Sequence, residues 1–174
     1  MAIILGYIAS SLDGFIATQN DSLDWLFKYD GIELGEHDYR HFIKRIRTVV
    51  MGRGTYDFLE RDSSPWAYAE QRVLVVTSRP ITAPRGALET RSDIDELIAE
   101  LRGLGDGDVW VLGGGKLQMA FLERGGLDEI EIYVMPEIIG GGRPLFPAMG
   151  FEASPTLIDA QAMDRGCVRL HYRF

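Results

Sequence analysis

Two short glycine clusters, each carrying a basic residue, are the most openly chemical features of this sequence. Gly52-Arg53-Gly54-Thr55 follows the apolar run Thr48-Val49-Val50-Met51, and Gly113-Gly114-Gly115-Lys116 follows Asp108 to Leu112. A helical pattern comes next in both cases. Glycine at a strand-to-helix turn lets backbone approach a ligand closely, and the first free N–H groups of the helix can hold phosphate oxygens. Sheets built from parallel strands bind ligands beyond the carboxyl ends of those strands. Two such turns in one sheet therefore suit the pyrophosphate of a dinucleotide. Neither cluster is the dinucleotide fingerprint or the P-loop pattern, so each alone also fits an ordinary tight turn. Arg53, Arg79 and Lys116 all follow predicted strands and can crowd one end of the sheet. On a chain with a formal net charge of -8, a local basic group suggests a bound anion. A 2′-phosphate among those anions favours NADPH over NADH. Any one of the three cations, taken singly, also reads as a solvated surface charge.

The elements that must position these clusters follow from periodicity. Ile3 to Ala9 is an apolar run and reads as a buried strand. A polar, turn-rich stretch follows from Ser10 to Asp24, with Asp13-Gly14 inside it and an extended piece at Phe15-Ile16-Ala17. Tyr39, Phe42, Ile43 and Ile46 recur at spacings of three and four, which predicts a helix over 36–46. Strands are expected at 48–51, 72–77, 108–112 and 128–135, and helices at 56–59, 93–101 and 116–124. Ser92 or Asp93 can cap the second of these helices, and Gly125-Gly126 stops the third. Strands at 156–163 and 167–172 flank Asp164-Arg165-Gly166, a hairpin signal. Strands alternating with helices and ending in an antiparallel pair imply an α/β fold with a mostly parallel sheet covered on both faces. No linker or repeat divides the chain, so 1–174 reads as a single domain.

Composition bounds the function. The chain has 174 residues, 46% apolar and 25% charged, an ordinary globular balance. The acidic balance disfavours nucleic acid and anionic membranes as partners. No apolar run reaches membrane-spanning length. The opening Met1-Ala2-Ile3-Ile4 has no basic signal-peptide region. Cys167 is the one cysteine, so an internal disulfide and a cysteine-rich zinc site are excluded, and a cytoplasmic location is expected. The three histidines show no metal-binding spacing.

Several motifs, taken in order, resemble the dihydrofolate-reductase-like superfamily. They are Ile8-Ala9-Ser10-Ser11-Leu12-Asp13-Gly14-Phe15-Ile16-Ala17, Trp25, Val49 to Tyr56, Trp110 to Gly115, and Pro136 through Gly140-Gly141-Gly142-Arg143 to Pro147. The last motif, with Ser10 to Gly14, leans toward the branch containing the C-terminal reductase domain of the bifunctional riboflavin-biosynthesis deaminase-reductase. The resemblance implies a central, mostly parallel eight-stranded sheet with an antiparallel C-terminal hairpin, and NADPH as hydride donor. It places Ala9 and Ile16 at the nicotinamide. Gly52, Arg53, Gly54 and Thr55 are expected to meet the pyrophosphate and the adenosine-side phosphate. Thr77, Ser78 and Arg79 belong near the adenosine ribose, and Gly113, Gly114, Gly115 and Lys116 cover the pyrophosphate from the other side.

The same resemblance supplies a substrate side. Family members carry a carboxylate on the first long helix, and here Asp38 precedes Phe42 by four residues. Asp38 is the expected proton-handling acid, with Glu36 its rival in a shifted register. Trp25 and Phe42 are the expected substrate contacts. Both carboxylates also fit a plain preference for a helix N-terminus. The implied activity is reduction of a pteridine or pyrimidine-type heterocycle, with 5-amino-6-(5-phosphoribosylamino)uracil favoured. Dihydrofolate reduction and a nonenzymatic NADP-binding role are the alternatives. Members of the branch commonly pair, so a homodimer through the apolar-rich C-terminal hairpin is expected.

Overall fold

A computed structural model describes residues 2–174. The central strand is the first one, β1 (Ile4–Ser11). The chain then forms β2 (Phe15–Ala17), a short α1 (Asp24–Phe27), α2 (Tyr39–Arg45), β3 (Ile46–Gly52), α3 (Arg53–Arg61), β4 (Arg72–Val76) and β5 (Glu89–Arg91). It continues with α4 (Ile94–Arg102), β6 (Asp108–Gly113), α5 (Gly115–Glu123), β7 (Glu129–Met135), β8 (Arg143–Pro144), β9 (Thr156–Ala162) and β10 (Val168–Arg173). Eight strands make one sheet in the order β5-β4-β3-β6-β1-β7-β10-β9. Every pairing from β5 to β7 is parallel, and β10 is antiparallel to both β7 and β9. This is the expected mostly parallel sheet with an antiparallel end.

Alternation along the strands explains the two helical layers. Ile4, Val50, Leu74, Val109 and Val111 face one side, where Leu97 and Leu101 of α4 and Phe121 of α5 cover them. Leu5, Val49, Met51, Val73, Val75 and Trp110 face the other, against Phe42 of α2 and Tyr56 of α3. Burial on both faces is why these strands read as continuous apolar runs. Asp93 caps α4, its carboxylate accepting from the Glu96 N–H at 3.0 Å, as the sequence anticipates.

The first long helix departs from expectation. The segment 36–46 is not one helix: Gly35–His37 is a 3₁₀ turn, Asp38 is extended, α2 begins at Tyr39, and Ile46 already opens β3. Asp38 stands outside the helix as its N-cap, so the assumed one-face pairing of Asp38 with Phe42 does not form.

A second small sheet roofs one end of the main one. β2 pairs with β8, and the Asp13 carboxylate staples the two segments by accepting from Ser11 Oγ (2.6 Å), Ile139 N (3.2 Å) and Gly140 N (2.8 Å). At the other end, β10 presents its polar face inward. Arg169 binds Glu131 of β7 at 2.8 Å and Asp159 of β9 at 2.7 Å, and His171 meets Glu129 at 2.9 Å. Alternation in β10 thus marks a buried ionic layer between strands. No helix among the described residues is long and apolar enough to cross a membrane.

Candidate cofactor and substrate cleft

A cleft of about 1000 Å³ opens at the carboxyl ends of β1, β3 and β6. The two glycine clusters form part of its wall. Gly52 and Gly114 are the N-caps of α3 and α5, and neither helix start receives a side-chain cap. Their first N–H groups are therefore free to bind an anion, reinforced by the positive end of each helix dipole. The clusters also lie close to each other. A Cβ on Gly52 would stand 3.8 Å from the Gly113 carbonyl oxygen, and one on Gly114 would stand 3.9 Å from Thr55 Oγ1. Gly113 has φ +125, a conformation that suits glycine.

The structure brings together Ala9, Ile16, Gly52, Arg53, Gly54, Thr55, Gly114, Gly115 and Lys116, all of which line this cleft. Gly113 sits just behind them. Thr77, Ser78 and Arg79 lie beyond the lining, where Val76 takes their place. They are tied to it through Arg53, whose guanidinium donates to the carbonyl oxygens of Arg79 (3.3 Å) and Pro80 (3.2 Å) and pairs with Asp57 at 2.6 Å. Thr77 Oγ1 folds this turn by accepting from the Arg79 N–H at 3.0 Å.

Two further features stand at the start of α5. A Cβ on Gly115 would fall 2.5 Å from the Pro144 carbonyl oxygen, so the roof segment packs directly on the start of α5. Gln118, one turn along α5, is fully buried with both amide atoms unpartnered among the described residues. Its nitrogen points toward Gly113. Buried amides are ordinarily paired; this one lies behind the cleft wall and does not line it.

Another part of the cleft wall is aromatic. Tyr7, Tyr68 and Trp110 line it, with Phe58 and Leu59 of α3. The Tyr7 hydroxyl donates to the His37 carbonyl at 3.0 Å, and Tyr133 donates to the same oxygen at 2.9 Å. Burial pushes the Tyr7 phenol well above its ordinary range. At the mouth, Arg143 pairs with Asp21 at 2.7 Å, and both line the cleft.

The expected substrate-side residues do not meet there. Asp38 caps α2 through the His41 N–H (3.0 Å) and binds Arg40 (2.8 Å). These contacts, Arg40 first, hold its carboxyl far below the usual carboxylate range. Glu36 is exposed on the 3₁₀ turn. Phe42 is buried behind Tyr7, and Trp25 is buried among Tyr133, Met135 and Cys167. None of the four lines the cleft; Leu23 and Leu26, beside Trp25, do. Sequence reasoning missed Tyr7, Tyr68 and Trp110. Tyr7 and Trp110 interrupt aliphatic strands with large aromatics, which is a usable signal. Tyr68 lies in a loop with no periodicity to mark it.

A parallel sheet, a glycine-edged cleft at its carboxyl ends and an antiparallel terminal hairpin define a protein of the dihydrofolate-reductase-like fold. The family model described as the RibD C-terminal domain matches residues 2–169, and the chain belongs to that family. It is 31% identical over 170 residues to YwjB of Bacillus subtilis, an uncharacterised protein, spanning 95% of this chain and 94% of that one. It is 29% identical over 152 residues to the riboflavin biosynthesis protein RibD of Corynebacterium ammoniagenes, covering 77% of this chain but 43% of that protein. A crystal structure of a Shewanella sp. PV-4 protein named for riboflavin biosynthesis superposes with a TM-score of 0.84 at 28% identity, covering 99% and 98% of the two chains. A dihydrofolate reductase of Enterococcus faecalis, solved with NADP(H), shares the fold at a TM-score of 0.62 and 17% identity, covering 98% and 95%.

Proposed function

We propose that this chain is an NADPH-dependent reductase of a pyrimidine or pteridine-type heterocycle, nearest in chemistry to reduction of 5-amino-6-(5-phosphoribosylamino)uracil. The observation that carries this reading is the continuity of one cleft. Two uncapped helix N-termini line one part of it and the aromatic rings of Tyr7, Tyr68 and Trp110 another. The first suits a pyrophosphate and the second a flat ring. NADPH, when bound, supplies the hydride. The protein's share is placement: the helix N-termini and Lys116 hold phosphates, Ala9 and Ile16 offer an apolar seat, and the roof segment excludes water. Arg53, held against the 79–80 turn, and Arg79 itself supply positive charge for a 2′-phosphate.

Folate reduction is supported less well, because among the described residues the only carboxylate lining the cleft is Asp21, which is paired with Arg143, and Asp38 is committed to capping. Calorimetric titration with NADPH and NADH tests the cofactor, and NADPH oxidation with aminouracil and pterin substrates tests the reaction. NADPH should bind at least about tenfold more tightly than NADH, as expected for charge-assisted contacts to one extra phosphate. Equal affinities, or none, refute the cofactor assignment. NADPH binding without oxidation by any heterocycle favours a nonenzymatic NADP-binding role. The exposed Leu157 and Ile158 on edge strand β9 support pairing of two copies, which light scattering checks.

A further inference from the structure

A second hollow, of about 230 Å³, lies behind two walls of the cleft. Met119 and Leu122 of α5 and Ile130 and Ile132 of β7 line it, and all four are buried. Phe146, Phe151 and Phe174 line it too, yet they stay 45%, 38% and 40% exposed. No residue lining the hollow, among those described, carries a charge, and Tyr172 supplies the one side-chain hydroxyl. Three large rings left partly in water around one concavity forgo burial worth about 25 cal/mol per Å² of apolar surface. A concave surface of this make-up suits a ligand.

Size and wall chemistry define that ligand. An apolar cavity of about 150 Å³ takes up benzene, so this one has room for a substituted ring or two small fused rings. A carboxylate, phosphate or ammonium group would lose its hydration there and meet no counter-charge. The hollow therefore fits an uncharged molecule.

The hollow also shares structure with the cleft. In α5, Leu117 and Ala120 line the cleft while Met119 and Leu122 line the hollow. In the roof, Pro144 and Pro147 line the cleft while Phe146, between them, lines the hollow. The two walls are packed backbone to backbone: a Cβ on Gly115 would fall 2.5 Å from the Pro144 carbonyl oxygen and 2.8 Å from that of Leu145. A molecule filling the hollow presses on both from behind and fixes the start of α5 relative to the roof. Fixing that arrangement in advance favours a nucleotide held there.

We propose that this hollow is a second binding site, for a small uncharged aromatic molecule, and that filling it tightens nucleotide binding in the cleft. The coupling rests on the reading above that the cleft takes NADPH; the site itself does not.

The test is calorimetric titration of indole into wild-type protein and Ala153→Trp, each with and without saturating NADP+. Ala153 lines the hollow from an exposed position, so a tryptophan there can plug it without entering the core. Ala153→Leu is a smaller plug that should act in the same direction. Indole should bind wild type at one site, and Ala153→Trp should weaken it at least about tenfold. Saturating NADP+ should tighten indole about fivefold, and saturating indole should tighten NADP+ by the same factor, as linkage requires. Indole-2-carboxylate should bind at least about tenfold more weakly than indole. Indole binding that survives in both variants, or that NADP+ displaces, puts indole in the cleft and overturns the proposal. No indole binding, equal binding of the carboxylate, or affinities that ignore each other overturn it as well. Light scattering in which indole dissociates a dimer marks the hollow as a contact between copies, with the same result. Indole binding that is lost in Ala153→Trp, with NADP+ bound by neither protein, sinks the cofactor reading and leaves the site standing.

Discussion

The ring of Phe42 lies on the ring of Tyr7, centroids 4.0 Å apart and planes 20° apart, so Tyr7 stands between Phe42 and the cleft. Phe42 is therefore a support for the chamber wall. Trp110 meets it edge-on at 5.1 Å and closes the cluster.

Phe42→Ala should lower stability by about 3–5 kcal/mol, the range for emptying a buried aromatic site, and Phe42→Leu by less. Urea denaturation measures both. NADPH affinity of the folded variants should remain near wild type, because the phosphate cradle is built from α3 and α5. A large loss of affinity with unchanged stability would place Phe42 in the cleft after all.

Asp38 gives a prediction with a definite pH sign. The hydrogen bonds from Arg40 and the His41 N–H depress its carboxyl in the folded protein. Its contribution is thus present above the unfolded-state value near 4 and is lost as pH falls through the lower folded value. Asp38→Ala should melt below wild type at neutral pH, with the gap closing in acid. Asp38→Asn should keep the cap, since asparagine caps well, and turnover should fall no more than about threefold. A loss of 10²-fold or more, the usual effect of removing an acid–base group, would restore Asp38 to the proton-transfer role that the family spacing suggests.

Gly115→Ala should be costly where Gly54→Ala is not. The new Cβ at 115 would press on the carbonyl oxygens of Pro144 and Leu145, at 2.5 and 2.8 Å. Backbone must then move, for about 1–3 kcal/mol, and NADPH affinity should drop at least tenfold as the roof shifts. A Cβ at 54 meets nothing within 4 Å, so that variant should be as stable as wild type or up to about 1 kcal/mol more stable. Thermal melts and cofactor titrations of the two variants, side by side, decide it.

The ionic layer under β10 predicts a non-additive pair. Arg169 and Glu131 have side chains 5% and 8% exposed. Arg169→Met leaves Glu131 only a looser contact with Arg45 at 3.9 Å and the Tyr133 hydroxyl at 3.2 Å, and should destabilise by about 3–5 kcal/mol. Adding Glu131→Gln should recover much of that loss. A double-mutant cycle by chemical denaturation measures the coupling, and simple additivity would show that the pair is not energetically linked.

The sheet and the glycine-edged part of the cleft were legible in the sequence because both are local. Buried parallel strands produce apolar runs, and a glycine cluster between a strand and a helix announces itself without distant partners. The substrate end was not legible, for a physical reason. Asp38 and Phe42 share a helical spacing, but the extended backbone at Asp38 turns one into a cap and leaves the other in the core, and spacing cannot show where a helix begins. Tyr68 reaches the cleft from a loop, positioned by Trp66 and Trp110 through tertiary packing alone. In β10 the apolar side, Leu170 and Tyr172, packs on the core, whereas the ionic layer of Arg169 and His171 depends on Glu131 and Glu129 of the neighbouring strand and cannot be read from β10 alone.

The central place of β1 bears on how the protein is made. Ile4 pairs beside Val109, and Leu5 beside Trp110 and Glu129, so β1 is made well before the partners it pairs with. The roof that closes the cleft comes later still, with Arg143 and Pro144 joining Phe15 and Ala17. Pairings this distant in sequence form slowly. On the ribosome the segment Ile4 to Ala9 is an unpaired apolar strand for most of translation, the kind of exposed edge that invites aggregation or chaperone capture. The proposed nucleotide binding would accordingly be a property of the finished sheet, and a truncated product should show none.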